Sequence, residues 1–186
     1  LFGSVTGGTA LATDIELGFF DRLLATPTSR VSILLGRLAG AAAFGAAQAL
    51  FFTVVLLPFG VNIKSGVPGV AVIVLSGALT AVAIGGFTAA MALRTGSSEA
   101  VQGSFPLLFI ALFFSSAFFP RQNMDGAYKA VADANPMSYL VEGIRGLTIE
   151  GFTAANVAKA LLVPVGIGAL SMLLSMRALR GRLAAR

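Results

Sequence analysis

The 186-residue chain contains no cysteine, no histidine and no tryptophan, and only 11% of its residues are charged. Without cysteine it has no disulfide and no thiolate nucleophile. Without histidine it lacks an imidazole base and the commonest zinc ligand. Metal and covalent chemistry are disfavoured from the outset. No G-x-x-x-x-G-K-[ST] phosphate loop occurs, so nothing here hydrolyses ATP by the P-loop route, and neither a G-x-S-x-G elbow nor an H-E-x-x-H helix is present. No window combines the basic start, short apolar middle and small-residue cleavage site of a signal peptide.

What the chain has instead is apolar bulk. Hydrophobic residues make up 56% of it and its mean hydropathy is +0.89, whereas soluble domains run at roughly a quarter charged. It reads as an integral membrane protein. Apolar windows fall at 38–59, 67–93, 101–120 and 157–176, each matching the ~20 residues that cross a bilayer core. The expected fold class is an all-α, polytopic transmembrane helix bundle of four complete spans, one domain over 1–186. Leu1 to Ala12 are apolar but too short to span. They read as the end of an earlier helix, with one or two N-terminal spans missing from the sequence.

These windows hold essentially no ionisable residue at mid-membrane depth. The main polar groups within them or near their ends are Gln48, Thr80, Thr88, Gln102, Ser115, Ser116 and Ser171. Proton- or ion-coupled carriers use buried acids and bases as relays. If this protein pumps, its energy comes from outside the membrane.

The net charge of +5 does not point to nucleic acid here, because in a membrane chain the position of the positive charges matters more than their number. Alternate loops place Arg22, Arg30, Arg37, Arg94, Arg177, Arg180, Arg182 and Arg186 on one side. Lys64, Arg121, Lys129, Arg145 and Lys159 fall on the other. The first side is expected to be cytoplasmic, giving a multi-pass protein of the cell (inner or plasma) membrane with its C-terminus in the cytoplasm and a basic tail as a simple anchor.

Between apolar runs lies a polar island, 13–37. Thr13-Asp14-Ile15-Glu16 has the pattern of a capping box and predicts a helix starting at Thr13. Asp14, Gly18, Asp21, Arg22 and Ala25 would share one face of that helix, and Ile15, Phe19, Phe20, Leu23 and Leu24 the other, up to the break at Pro27. Thr28 or Ser29 would cap the next helix. Glu16 falls inside the apolar arc and needs either the capping box or a cation.

Further along, Gly77, Ala81, Gly85 and Ala89 form a small-residue stripe, and Gly36 and Gly40 a shorter one. Both allow close helix approach, more often within a subunit than between subunits. In Arg94 to Ala100, Gly96 reads as a helix stop, Ser97 or Ser98 as a cap and Glu99 as a first-turn acid. Phe105, Phe109 and Phe113 recur at i+4, followed by Ser115 and Ser116. They face lipid or a neighbouring helix, or they line a path for an apolar substrate. The segment 121–156 is too polar to span and is expected to be an extracytoplasmic helical loop. Its two short helices would break at Asn135-Pro136, with Asn135 as N-cap, and Glu142 would pair with Arg145 three residues on. The apolar residues of the second helix favour lying on the membrane surface over a plain solvated loop. Pro164 is expected to kink the last span.

The order of these motifs resembles the permease subunit of ABC-2 type transporters, the group that includes daunorubicin-resistance-type drug exporters. The family's E-x-G…L…TP…I…G-[KR] pattern is met by Glu16, Gly18, Leu23, Leu24, Thr26, Pro27, Ile33, Gly36 and Arg37. Its later Ser-rich stretch ending Phe-Pro, then Asn-Pro and a downstream Arg, is met by Ser116, Phe118, Phe119, Pro120, Asn135, Pro136 and Arg145. The position after the glutamate, often basic in the family, is Leu17 here, and the island's positive charge sits at Arg22 and Arg30. The resemblance implies six spans in the complete protein, a second permease copy as homo- or heterodimer, and membrane lipid around it. It also implies a cytosolic ABC ATPase that holds ATP and Mg2+, and no enzymatic site in this chain. The island would be the coupling segment, with Phe19, Phe20 and Leu23 buried in a groove of that ATPase. The cargo would be drug-like, lipid or otherwise amphipathic. The other readings are an ATP-independent carrier or channel, against which the uncharged spans argue, and a non-transporting scaffold.

Overall fold

The computed structural model describes residues 2–24, 26 and 29–184, with side chains at all of these except 2–6, 24, 30, 183 and 184. Leu1, Ala25, Pro27, Thr28 and Arg186, which figured in the reading above, lie outside the described residues. Among those described, all regular structure is helical: α1 (Phe2–Glu16), α2 (Phe19–Leu24), α3 (Arg30–Leu56), α4 (Gly66–Thr95), α5 (Ser98–Gly103), α6 (Phe105–Phe113), α7 (Gly126–Ala134), α8 (Pro136–Ile149) and α9 (Ala154–Ala184). Three stretches are long and apolar enough to cross a membrane: Val31–Phe59, Gly66–Thr95 and Ala154–Arg182. The protein is an all-α, multi-pass membrane chain.

The window 101–120, expected to be a fourth complete span, is instead divided. The cause is local. Ser104 turns its hydroxyl and its amide back onto the Val101 carbonyl (2.6 and 3.2 Å). Pro106, without an N–H, cannot continue the helical ladder across the Gly103-Ser104 joint. The second piece, α6, has 9 residues, about 14 Å of helix, and the chain turns away after Phe113.

The chain divides into two compact units. Unit 1 comprises 1–45, 78–105 and 167–186, and unit 2 comprises 46–77 and 106–166. Unit 1 is organised around α4. Gly85 lies against Leu38 and Ala41 of α3, and Gly8 of α1 abuts Thr88. A side chain on Gly86 would sit 2.5 Å from the Ser171 hydroxyl of α9, and the Ser175 hydroxyl donates to the Gly86 carbonyl at 2.5 Å. Of the expected stripe, Gly85 thus seats a neighbouring helix within the chain, and Ala81 and Ala89 are buried. Gly36 and Gly40 are not: both are exposed with nothing in reach of an added Cβ. Around α4 close Leu11, Ala12, Ile15, Phe20, Leu34, Leu38, Val101 and Leu179, all buried. The α4 C-terminus ends on Gly96 at φ +65°, and Arg182 of the basic tail donates to the Leu93 carbonyl at 3.2 Å. That arginine is part of the packing as well as of the charge pattern.

In unit 2, α8 rests on the first turns of α9. A Cβ on Gly143 would lie 2.5 Å from the Ala160 amide nitrogen, and Gly146 faces the Asn156 side chain. The Ser76 hydroxyl donates to the Ala160 carbonyl at 2.8 Å, and the Lys64 and Ser65 amides donate to the carbonyls of Thr148 and Leu147. α9 runs on through Pro164, which is fully buried.

Gly143→Val meets backbone, which cannot give way, so it should lower stability by about 2 kcal/mol or more. Gly36→Val, in open space, should be neutral. Thermal unfolding of the full-length protein in detergent checks both, and equal melting of the two variants would contradict the α8–α9 contact.

Candidate functional site

The polar island is built differently from its sequence pattern. α1 runs from Phe2 through Thr13 without interruption, so Thr13 is an interior residue and no capping box forms there. The break comes four residues later. The Leu17 amide donates to the Thr13 carbonyl and the Gly18 amide to Ile15, with Gly18 at φ +70°, a left-handed conformation that stops the helix and favours glycine. α2 then restarts at Phe19. Because two helices replace one, the single apolar face expected of 15–24 is split. Phe20 is 3% exposed and belongs to the unit 1 core, whereas Leu17 is 74% and Phe19 49% exposed, with Leu23 between these extremes. Phe20 is thus not free to enter a partner's groove. The Thr26 hydroxyl donates to the Leu23 carbonyl at 2.6 Å and closes α2, while Ser29 caps α3 by accepting from the Ser32 amide at 3.1 Å.

Glu16 uses neither of its expected partners. Its carboxylate accepts from the Ser98 amide (2.6 Å) and the Ser98 hydroxyl (3.1 Å). Ser98 is the first residue of α5, where an amide has no partner within the helix and the helix dipole favours negative charge. Ser97 is the N-cap of the same helix and accepts from Ala100. The island is therefore tied to α5 by a carboxylate 82 residues away in sequence. A second tie joins Asp14 to Arg37 in an ion pair between the end of α1 and the body of α3. Arg37 was read as a motif residue and as one of the cytoplasmic-side cations, and its partner was not legible from spacing.

The other candidate residues lie at the end of α6. Phe109 and Phe113 are half exposed on the outside of the chain and Phe105 is partly buried. Ser115 and Ser116 are fully buried and engaged in structural bonds. The Ser115 hydroxyl closes the turn on Leu112, while Ser116 gives its hydroxyl to the Ser138 carbonyl (2.9 Å) and its amide to the Ser138 hydroxyl (3.2 Å). Neither lines an open path.

Asn135 caps α8 as expected, accepting from the Met137 amide at 3.0 Å with Pro136 in the first turn. Its amide group also donates to the carbonyls of Ala111 (2.6 Å) and Phe114 (3.2 Å), and the Tyr128 hydroxyl donates to Phe113 (2.8 Å). Glu142 does not pair with Arg145. It takes a two-pronged ion pair from Arg121, which also reaches Asp133 at 3.2 Å and lies over the Tyr139 ring at 4.3 Å. The Glu142 hydrogen bonds hold the Arg121 guanidinium above its ordinary pKa, so that end of the pair is always charged. Arg145 instead donates to the carbonyls of Ser116 (2.6 Å) and Ala117 (3.5 Å). Arg121, directly after Phe-Pro, was the residue the sequence reading passed over. An arginine directly after Phe-Pro, with acidic residues 12 and 21 positions on, was the available signal. Among the described residues no group of histidine, cysteine or acidic side chains is arranged to hold a metal.

These features define a multi-pass helical membrane protein with a helical island held to the start of a broken span and a helical cap on that span's far end. The ABC-2 type transporter family matches residues 1–149, and the chain belongs to that family. It is 33% identical over 96% of its length to the daunorubicin resistance ABC transporter permease protein DrrB1 of Streptomyces coeruleorubidus, covering 64% of that protein. It is 26% identical over 90% of its length to the probable doxorubicin resistance ABC transporter permease protein DrrC of Mycobacterium tuberculosis, covering 62%. The chain thus spans a little under two thirds of the relatives it matches. No solved structure matches it.

Asn135→Ala removes a helix cap and two donated bonds at once and should cost about 2 kcal/mol. Asn135→Asp, which keeps the cap but not the donors, should lie between. Chemical unfolding in detergent orders the three proteins, and an Asp variant no better than Ala would count against the capping role.

Proposed function

We propose that this chain is the membrane-spanning part of an ABC exporter permease that carries an amphipathic, drug-like molecule out of the cell. A separate cytosolic ATPase subunit supplies the energy from ATP and Mg2+, and a second permease copy completes the assembly. The observation that carries the reading is the island: Leu17 and Phe19 stand exposed on either side of a glycine stop, while Phe20 is buried and Glu16 is tied to Ser98. An exposed apolar pair at the turn into an anchored short helix is suited to fill a partner's groove. Family membership and the names of the relatives support the cargo class and the partner.

In this reading the island faces the cytoplasm, as does the C-terminus, because the arginines of unit 1 outnumber the cations of the other loops. Closure of the ATPase displaces α2. Phe20 keeps α2 from moving independently of its unit, the Asp14–Arg37 pair ties the end of α1 to α3, and Glu16 delivers the displacement to the start of α5. The segment that receives it is already interrupted at Ser104, where a helix can change direction without first breaking a continuous ladder. Phe109 and Phe113, half exposed on the chain's exterior, would meet cargo where a second copy faces them. Ser115 and Ser116 serve the fold and drop out of the path.

Tagged full-length permease, purified from membranes that also contain its ATPase, tests this. Phe19→Asp should abolish co-purification. Glu16→Gln, which weakens the tie to α5 but leaves the exposed pair, should keep the ATPase bound and lower efflux. Retention of the ATPase by Phe19→Asp, with the protein still folded, would contradict the docking surface.

A further inference from the structure

Unit 2 contains a polar cavity of about 390 Å³, lined among others by Arg121, Glu142, Arg145, Glu150, Asn156 and Lys159. It plays no part in the coupling described above. Its charges are unevenly committed. Arg121 is saturated by Glu142, Asp133 and the Tyr139 ring, and this uses both oxygens of Glu142. Glu150 accepts from the Asn156 amide group at 3.2 Å. Lys159 is left with a contact of 3.8 Å to an oxygen of Glu142 that Arg121 already holds, and its side chain is 43% exposed. Arg145 binds only backbone carbonyls, through one of its nitrogens, and makes no ion pair among the described residues. Two cations therefore line one cavity without a carboxylate of their own. Asn156, in the first turn of α9, places the positive end of that helix at the same wall.

One large apolar side chain of the lining is uncovered, and two more lie close to lining residues along the chain. Ile149 is 56% exposed, Phe152, two residues beyond Glu150, is 54%, and Phe119, next to Pro120 of the lining, is 62%. A recess with three cations against two carboxylates, with Ile149 exposed in its wall and Phe119 and Phe152 exposed next to it in sequence, fits one class of molecule in a membrane chain. We propose that this cavity binds the phosphate diester of a phospholipid headgroup between Lys159 and Arg145, with the acyl chains lying along Phe119, Ile149 and Phe152. The bound lipid would fasten α8 and the start of α9 at the membrane surface. The inference rests on the chain being a membrane protein and does not depend on the exporter reading.

The test uses full-length protein, stripped of lipid in mild detergent and titrated with phosphatidylglycerol while adducts are counted by native mass spectrometry. Diacylglycerol supplies the tails without the phosphate, and inorganic phosphate supplies the anion without tails. Saturable phosphatidylglycerol binding is expected, with neither control competing. Lys159→Gln should weaken it about fivefold, the loss of one cation near a headgroup, while Lys129→Gln, on the exposed face of α7, should leave it unchanged. Arg145 also supports the fold, so Lys159 is the variant that decides. Wild-type affinity in Lys159→Gln, binding of diacylglycerol as tight as that of phosphatidylglycerol, or competition by inorganic phosphate at equal concentration would each overturn the proposal.

Discussion

The structure depends on satisfying the backbone polar groups of a helix that stops short. In an apolar surrounding an unpaired carbonyl or amide costs several kcal/mol, and a broken span creates such groups at each break. The segment 98–113 meets this demand at both ends with side chains from elsewhere. At its start, Ser97 and Glu16 accept the free amides. At its end, Tyr128 and Asn135 take the carbonyls of Ala111, Phe113 and Phe114, and Arg145 takes those of the turn that follows. Removing these donors would leave α6 with unpaired carbonyls in an apolar setting.

This arrangement explains why polar residues occur where they do in so oily a chain. Glu16, Asn135 and Arg145 are family-pattern positions, and each serves a helix end belonging to another element. The glycines serve a complementary purpose: Gly85 and Gly86 let α4 be approached by α3 and α9 in unit 1, and Gly143 and Gly146 let α8 close on α9 in unit 2. Close packing replaces the hydrophobic drive that lipid cannot supply between helices. Leu17 and Phe19, exposed beside the tied Glu16, are the surface on which the proposed docking rests.

Much of the architecture could be read from residues. The apolar windows located α3, α4 and α9, the Asn-Pro pair located the α7–α8 joint with its cap, and Gly96-Ser97 marked the next helix boundary. What failed did so for specific reasons. A capping box at Thr13 was a local pattern outweighed by the continuing apolar helix before it, and the helical wheel drawn through 14–25 could not anticipate a left-handed Gly18. The 101–120 window was long enough by hydropathy, but Ser104 and Pro106 broke its ladder. Glu142 and Arg145 have the right spacing to pair, yet a two-pronged guanidinium contact from Arg121 is stronger than an i,i+3 pair on a helix surface. Partners more than 20 residues apart, such as Glu16 with Ser98, leave no periodic trace in a single sequence.

The central claim is that the island and the head of the broken span move as one body because Glu16 joins them. Spin labels introduced at Arg22 and Glu99, both exposed, in full-length permease bound to the proposed ATPase partner measure this by pulsed electron resonance. The account predicts one narrow distance that does not change between nucleotide-free and ATP-trapped states, and that broadens when Glu16 is replaced by alanine. A distance that shifts with nucleotide in the unaltered protein, or that ignores the alanine, would contradict it.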